Sequence, residues 1–247
     1  CERRIKTKYM NNLHIITPVK DSLDTTLRTI ACINKAEKSF SSNYTIYNDF
    51  SSEETTESLT ASASKFDYEI INLKDITNHP SPNYLLVLQM AQKKALSDDA
   101  HLLIIESDVL VQRDTIQKLY DYCKLLDRPG MIAAITTDAD GVVNFPYLYA
   151  RNFKSKVVNT KKRLSFCCTL LTNDFLRQFD FALLNPEKSW YDVFISHKSI
   201  ELGFNNYLVT TLPVLHLPHS SRPWKQLKYT NPIKYYWRKL IDKRDKI

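Results

Sequence analysis

The sequence predicts an α/β protein with a mainly parallel sheet flanked by helices, and three observations lead there. Short β-rich runs alternate with helix-period patterns through the first half, the arrangement that strand–helix–strand crossovers produce. The 247 residues are 43% hydrophobic and 25% charged, an ordinary globular balance with apolar material for one large core. Only three Gly stand beside 14 Tyr and 11 Phe, which excludes a glycine-rich phosphate loop along with collagen-like and linker-like chains.

Each element follows from its local pattern. LHIITPV at 13–19 opens the chain's order as a strand. Leu23, Leu27, Ile30 and Ala31 then recur at helical spacing, and YTIYN at 44–48 is the second strand. A third strand is expected at 68–72. Ser81 and Pro82 suit the N-cap and first-turn positions of a helix running to about Leu96. HLLIIE at 101–106 is the fourth strand, ending in charge. In the second half, residues 131–136, 142–145 and 166–171 are expected as strands, 151–163 as a polar loop, and 190–204 as a helix ending near Gly203. NYLVTTLPVLH at 206–216 reads as a final strand pair.

Five cysteines, Cys1, Cys32, Cys123, Cys167 and Cys168, form no C-x-x-C pair, which points to a reducing compartment. Adjacent Cys167 and Cys168 are most simply alternate faces of a buried strand. No stretch approaches the ~18 apolar residues of a membrane-spanning helix, and the first ten residues lack the apolar region of a signal peptide. The expectation is a cytoplasmic protein, soluble or peripheral at the inner face of the membrane. Residues 217–247 hold nine Lys or Arg and two Asp or Glu, so the whole net charge of +7 sits there. A neutral body argues against wrapping nucleic acid, and the chain divides into residues 1–216 and a basic, aromatic tail, 217–247. In that tail Asn231 and Pro232 start a helix whose Ile233, Tyr236, Trp237, Leu240 and Ile241 form one apolar stripe, with Lys234, Arg238, Lys239 and Lys243 off it. Such a basic amphipathic helix suits an anionic membrane surface; docking on the protein's own core is the alternative.

In an open parallel sheet, ligands bind beyond the carboxyl ends of the strands. Three strand ends therefore matter: Thr17-Pro18-Val19-Lys20-Asp21, Asn48-Asp49-Phe50-Ser51-Ser52, and Glu106-Ser107-Asp108. Glu106 and Asp108, two residues apart, would send both carboxylates to one side of an extended segment, a donor set suited to Mn²⁺ or Mg²⁺. By itself the pair reads first as a solvated turn after a strand. His216, beside a Pro-bearing strand end with His219, adds an imidazole that could complete an oxygen-rich site. Trp190 offers a stacking face for a sugar or a core aromatic.

Taken in order, these segments resemble the family 2 glycosyltransferases of the GT-A (Rossmann-like) fold over nearly the whole chain. Ile15–Val19 resembles the family's opening strand, and Tyr47–Thr55 is similar to its V-D-D-G-S-x-D-E-T segment. Leu103–Asp108 resembles the strand carrying the D-x-D metal motif. Trp190-Tyr191-Asp192, eleven residues before Gly203, resembles the E-D … G-Y helix, and Pro213–His216 the strand whose terminal His joins the metal. The sequence departs at Glu106 for the first Asp of D-x-D, Asn48 for an acidic residue, Tyr191 for the Glu before the base, and Leu88–Gln92 for an Arg-bearing segment.

The resemblance implies an inverting sugar transfer from a UDP- or dTDP-sugar to a hydroxyl of a glycan or lipid-linked acceptor, in surface polysaccharide synthesis. It assigns Asp192 as catalytic base and Glu106, Asp108 and His216 to the metal. Thr17, Pro18, Val19, Asn48, Asp49, Ser51 and Ser107 fall to the nucleotide, with Asp49 on the base, and Trp190 and Tyr191 to the acceptor. A nucleotidyltransferase on a similar sheet and an inactive nucleotide- or glycan-binding module are the alternatives.

Overall fold

The computed structural model describes residues 13–187, 190–217 and 231–241. Strand β1 (Leu13–Val19) is followed by helix α1 (Leu23–Lys35), β2 (Ser42–Asn48), α2 (Glu53–Phe66), β3 (Glu69–Asn72), α3 (Tyr84–Ser97) and β4 (His101–Ile105). These pair in parallel in the order β3-β2-β1-β4, with Val19 opposite Asn48 and Ile16 opposite Ile104. The carboxyl ends of β1, β2 and β4 therefore open on one edge. The remaining elements are β5 (Val109–Leu110), α4 (Thr115–Leu125), β6 (Pro129–Thr137), β7 (Val157–Asn159), β8 (Cys168–Leu171), α5 (Asn173–Gln178), α6 (Tyr191–Glu201) and β9 (Asn205–His216). Helix α7 (Pro232–Ile241) comes last.

The sheet continues from β4 through β8, β6 and β9 to β5, with β7 against β9. Strand β8 runs antiparallel to both β4 and β6, whereas β6 and β9 are parallel. Helices cover both faces. Ile30 and Ile33 of α1, Leu59 of α2, and Ile116 and Leu119 of α4 fill one core with Ile15, Ile46 and Leu103. Val87, Leu88 and Ala91 of α3, Phe175 of α5 and Ile195 of α6 fill the other with Ile16, Leu102 and Ile104. Neighbouring strand residues thus serve opposite cores, which is why these strands are near-continuously apolar.

Local chemistry sets the helix ends. The Ser52 hydroxyl accepts from the Thr55 N–H at 3.3 Å, and Glu53 and Glu54 lie in the first turn of α2, where the helix dipole favours anions. Helix α6 stops as its sequence predicts: Gly203 has φ +81°, and the N–H groups of Gly203 and Phe204 bond back to Ile200 and Ser199 at 2.9 and 3.0 Å. That is the Schellman closure, for which glycine carries the least steric cost.

Four local expectations are corrected. The Ser81–Pro82 peptide is cis and α3 starts at Tyr84, because Ser81 and the Asn83 N–H bond the Asp49 carboxylate instead of a first helical turn. Residues 142–145 form only a bridge from Val143 to Thr137. The polar segment 151–163 contains β7, recruited as an antiparallel partner of β9. The final strand pair is the single twelve-residue β9, which absorbs Pro213 at a shift of register against Ala134 and Ile135; an irregularity is where a strand tolerates a missing N–H. The readings of Cys1, His219 and the opening ten residues lie outside the described residues. No helix among the described residues is long and apolar enough to cross a membrane.

Candidate active site

Glu106 leaves β4 with its N–H bonded to the Cys167 carbonyl at 3.0 Å, and the Val109 N–H returns to the Glu106 carbonyl at 3.1 Å. The two acidic residues are thus gathered by a turn and not by strand alternation. Asp108 is buried, with Oδ2 3.5 Å from Nε2 of His216, and its carbonyl accepts from the Leu217 N–H at 2.8 Å. His216 arrives at the end of β9, which pairs antiparallel with β5 so that Val109 faces His216. Its Nδ1 lies 2.8 Å from the Phe145 carbonyl, an oxygen that only accepts, so Nδ1 carries the proton and the Nε2 edge faces the carboxylates.

The electrostatics of this cluster are those of crowded like charges. Burial and then the Asp108 charge raise the Glu106 pKa, with Asp192 adding to the rise. Burial disfavours the His216 imidazolium, but the hydrogen bond and charge of Asp108, with Glu106 and the Phe145 carbonyl, raise its pKa overall. Excess carboxylate that one partly buried imidazole cannot neutralise is the setting a cation relieves. The Cys167 thiol donates to Glu106 Oε2 at 3.4 Å, and ligand atoms of Glu106, Cys167 and His216 all lie within 4.8 Å of one another. Burial and the charges of Glu106 and Asp108 push that thiol well above its ordinary range. The donor set of two carboxylates, an imidazole and a thiol fits a divalent ion.

Asp192 lies in the first turn of α6, close enough for its charge to act on Glu106. Its Oδ2 is 2.6 Å from a guanidinium nitrogen of Arg163, and its Oδ1 accepts from the Val193 N–H at 3.0 Å. Trp190, half-buried, precedes the helix. Tyr191 is buried and stacks on Tyr84 with ring centroids 6.5 Å apart, a core position beneath the site.

The nucleotide-side residues separate by role. Asp49 is buried and already accepts three hydrogen bonds, from the Ser81 hydroxyl (2.7 Å), the Asn83 N–H (2.9 Å) and the Asn83 amide (2.7 Å). Asn48 donates to Thr56 and Asn72, both at 2.9 Å, pinning β2 to α2 and β3. The Ser51 hydroxyl accepts from the Asp21 N–H at 2.9 Å, and Asp21 Oδ1 from the Ser52 N–H at 2.8 Å, so the loops after β1 and β2 are tied together. Thr17 and Val19 are buried, Thr17 accepting from the Tyr44 hydroxyl at 3.0 Å, which leaves Pro18 as the more exposed of the three. Ser107 is buried, its carbonyl accepting from Thr29 at 3.1 Å.

Arg163, Cys167 and Asn83 are the site residues the sequence analysis missed. Cys167 and Arg163 carry no local motif; they reach the site only through the antiparallel insertion of β8.

No family model matches the chain, and no curated protein does either. Solved structures do. S. aureus TarS 1–349 in complex with UDP-GlcNAc is 15% identical at a TM-score of 0.66, over 85% of this chain and 60% of that one. Another structure of S. aureus TarS 1–349 gives 14% and 0.63, over 83% of this chain and 60% of that one. GalNAc-T7 with UDP, GalNAc and Mn²⁺ gives 12% and 0.62, over 87% of this chain and 45% of that one. The chain thus spans about half the length of the proteins it superposes on. These neighbours are GT-A glycosyltransferases, and the curled, mostly parallel sheet described above has the GT-A fold.

Proposed function

We propose that the chain is a metal-dependent inverting glycosyltransferase that moves a sugar from a UDP- or dTDP-sugar to a hydroxyl of a glycan or lipid-linked acceptor. One observation carries the reading: His216 from the end of β9 and Asp192 from the start of α6, both far away in sequence, come to Glu106 and Asp108, the carboxylate pair just past β4, at the carboxyl edge of the sheet. The UDP-GlcNAc of one structural neighbour and the UDP and Mn²⁺ of another support its nucleotide-sugar donor and its metal.

Asp49, with acceptor capacity beyond its three hydrogen bonds, would receive the imide N–H of uracil or thymine. Asp192 would take the proton of the acceptor hydroxyl as that oxygen bonds to the anomeric carbon and the bond to the donor diphosphate breaks, inverting the centre. Glu106, Asp108 and His216 would hold a divalent ion, Mn²⁺ or Mg²⁺ being the species the family resemblance implies, and such an ion would neutralise the departing diphosphate as a Lewis acid. Trp190 would stack on an acceptor sugar, and the exposed Ile233, Tyr236 and Trp237 of α7 would lie on an anionic membrane, which would suit surface polysaccharide synthesis at its inner face.

Asp192→Asn keeps the shape of the side chain and removes the base. With the donor identified from a panel of UDP-, dTDP- and GDP-sugars, kcat should fall ~10²–10⁴-fold while donor affinity holds. Near-normal turnover removes Asp192 from the mechanism. One observation favours a second reading, a binding module without turnover: the Arg163 guanidinium occupies the Asp192 carboxylate at 2.6 Å. Donor-dependent thermal stabilisation with no product from any acceptor would select it.

A further inference from the structure

We propose that Cys167 is a metal ligand alongside Glu106 and His216, and that the site consequently takes a thiophilic divalent ion, Zn²⁺ or Co²⁺, in preference to Mg²⁺. The inference goes beyond the sugar-transfer reading, since it concerns which ion these side chains hold whether or not a sugar is moved.

Geometry supports it first. Ligand atoms of the three residues lie within 4.8 Å of one another, and the Cys167 Sγ to Glu106 Oε2 separation is 3.4 Å. Sulfur at about 2.3 Å and oxygen at about 2.0 Å from a tetrahedral ion stand ~3.5 Å apart, so this pair is already spaced as two ligands of one ion. The frame is rigid: Glu106 follows β4, Cys167 precedes β8, the two strands pair with Ile105 opposite Cys168, and the Glu106 N–H to Cys167 carbonyl bond closes the ladder beside the site. His216 is held by the Phe145 carbonyl through Nδ1, which directs Nε2 toward the cluster.

The surroundings of the thiol argue against simple packing. Cys167 Sγ sits between the Glu106 carboxylate and the Ser165 hydroxyl, each at 3.4 Å. Cys168, one residue on, is the contrast: it is wholly buried in the apolar core, and its thiol makes no hydrogen bond among the described residues. Packing alone explains Cys168 and leaves the polar placement of Cys167 unexplained. Oxygen ligands alone would suit Mg²⁺ or Mn²⁺, but a thiolate and an imidazole shift the order toward Zn²⁺ and Co²⁺. The thiol binds as thiolate, its proton passing to the buffer.

The test is a Co²⁺ titration of the full chain under a non-chelating reductant, without nucleotide. Expected are one Co²⁺ per chain, a near-ultraviolet thiolate-to-Co²⁺ charge-transfer band, and its displacement by equimolar Zn²⁺ but not by a large excess of Mg²⁺. Cys167→Ser should abolish the band and weaken Zn²⁺ binding by at least ~10-fold, the lower end of the loss seen even for residues outside the ligand set. Cys168→Ser should keep both. If Cys167→Ser does not fold, replacing every cysteine except Cys167 decides the matter: a surviving band supports the assignment and a lost one overturns it. No band in the wild type, a band unchanged by Cys167→Ser, or displacement of Co²⁺ by Mg²⁺ also overturns it. An intact band in a chain that binds no nucleotide-sugar would sink the donor reading and leave this one standing.

Discussion

Arg163 sets the geometry of the proposed base. Its guanidinium is 2.6 Å from Asp192 and 5.9 Å from the centre of the Phe145 ring, the residue whose carbonyl orients His216. One side chain therefore contacts both the proposed base and the residue that orients His216, and it brings a cation to a site to which Leu88–Gln92 contributes none. Arg163→Gln is expected to lower kcat by up to ~10²-fold with little change in donor KM, and Arg163→Lys to recover only part of it, since Lys keeps the charge and loses the planar fork. Steady-state kinetics on the three proteins check this; equal kcat would reduce the contact to a surface ion pair. His14, by contrast, is a stability residue. It is buried on β1, neither ring nitrogen has a hydrogen-bond partner among the described residues, and burial, then the Lys94 charge, lower its pKa from 6.5 to about 4. The folded state thus binds the neutral ring. Stability is fully present above the unfolded value and is lost as pH falls from 6.5 toward 4, by about 2 kcal/mol at pH 5. Urea denaturation at pH 7 and pH 5 should show a smaller acid loss in His14→Leu than in the wild type.

At the scale of elements, the packing of α6 on β6 decides where Asp192 sits. Gly130 of β6 leaves room for it: a Cβ there would lie 2.1 Å from the Ser199 hydroxyl and 2.8 Å from Phe204 Cβ. That hydroxyl also donates to Asn206 Oδ1 at 2.8 Å, so α6 is tied to β9 at the same point. Gly130→Ala should cost about 1–3 kcal/mol by overpacking and, because α6 must retreat, reduce turnover as well. Chemical denaturation and kinetics on the one variant measure both; an unchanged midpoint would mean that the contact relaxes freely. Element existence was legible where pattern is local. The boundaries of β1 and the Gly203 stop of α6 follow from apolar runs and one glycine. The start of α3 was not legible, because Asp49, 32 residues before Ser81, takes the hydrogen bonds that a helical first turn would have used.

For the whole molecule, the separation of charge from body is the feature with a functional consequence. Residues 217–247 hold the entire net charge of +7, and in α7 Ile233, Tyr236 and Trp237 are 83, 56 and 68% exposed. An apolar face open to solvent beside basic residues is expected to bind phosphatidylglycerol vesicles at low salt. Each basic residue near the surface contributes on the order of 1 kcal/mol, so binding should fall steeply as salt rises. Truncation after Ser221 should abolish cosedimentation and leave the thermal transition of the sheet in place. Protein that stays in the supernatant at low salt, or a truncated chain that no longer folds, would assign the helix to the core.

The sequence by itself determined the order and type of the first four strands, the strand ends at which Asp49, Glu106 and Asp108 stand, and the helix start that carries Asp192. Each rests on periodicity or spacing within a dozen residues, and such signals survive without tertiary context. Only the tertiary structure decided that β8 runs antiparallel between β4 and β6, that β9 is one strand, and that Cys167 and Arg163 meet Glu106 and Asp192. Those pairings join residues 29 and 61 positions apart. A local pattern that marks a segment as a buried strand leaves open which neighbour it pairs with and in which direction, so the thiol beside Glu106 entered the candidate site through strand pairing alone.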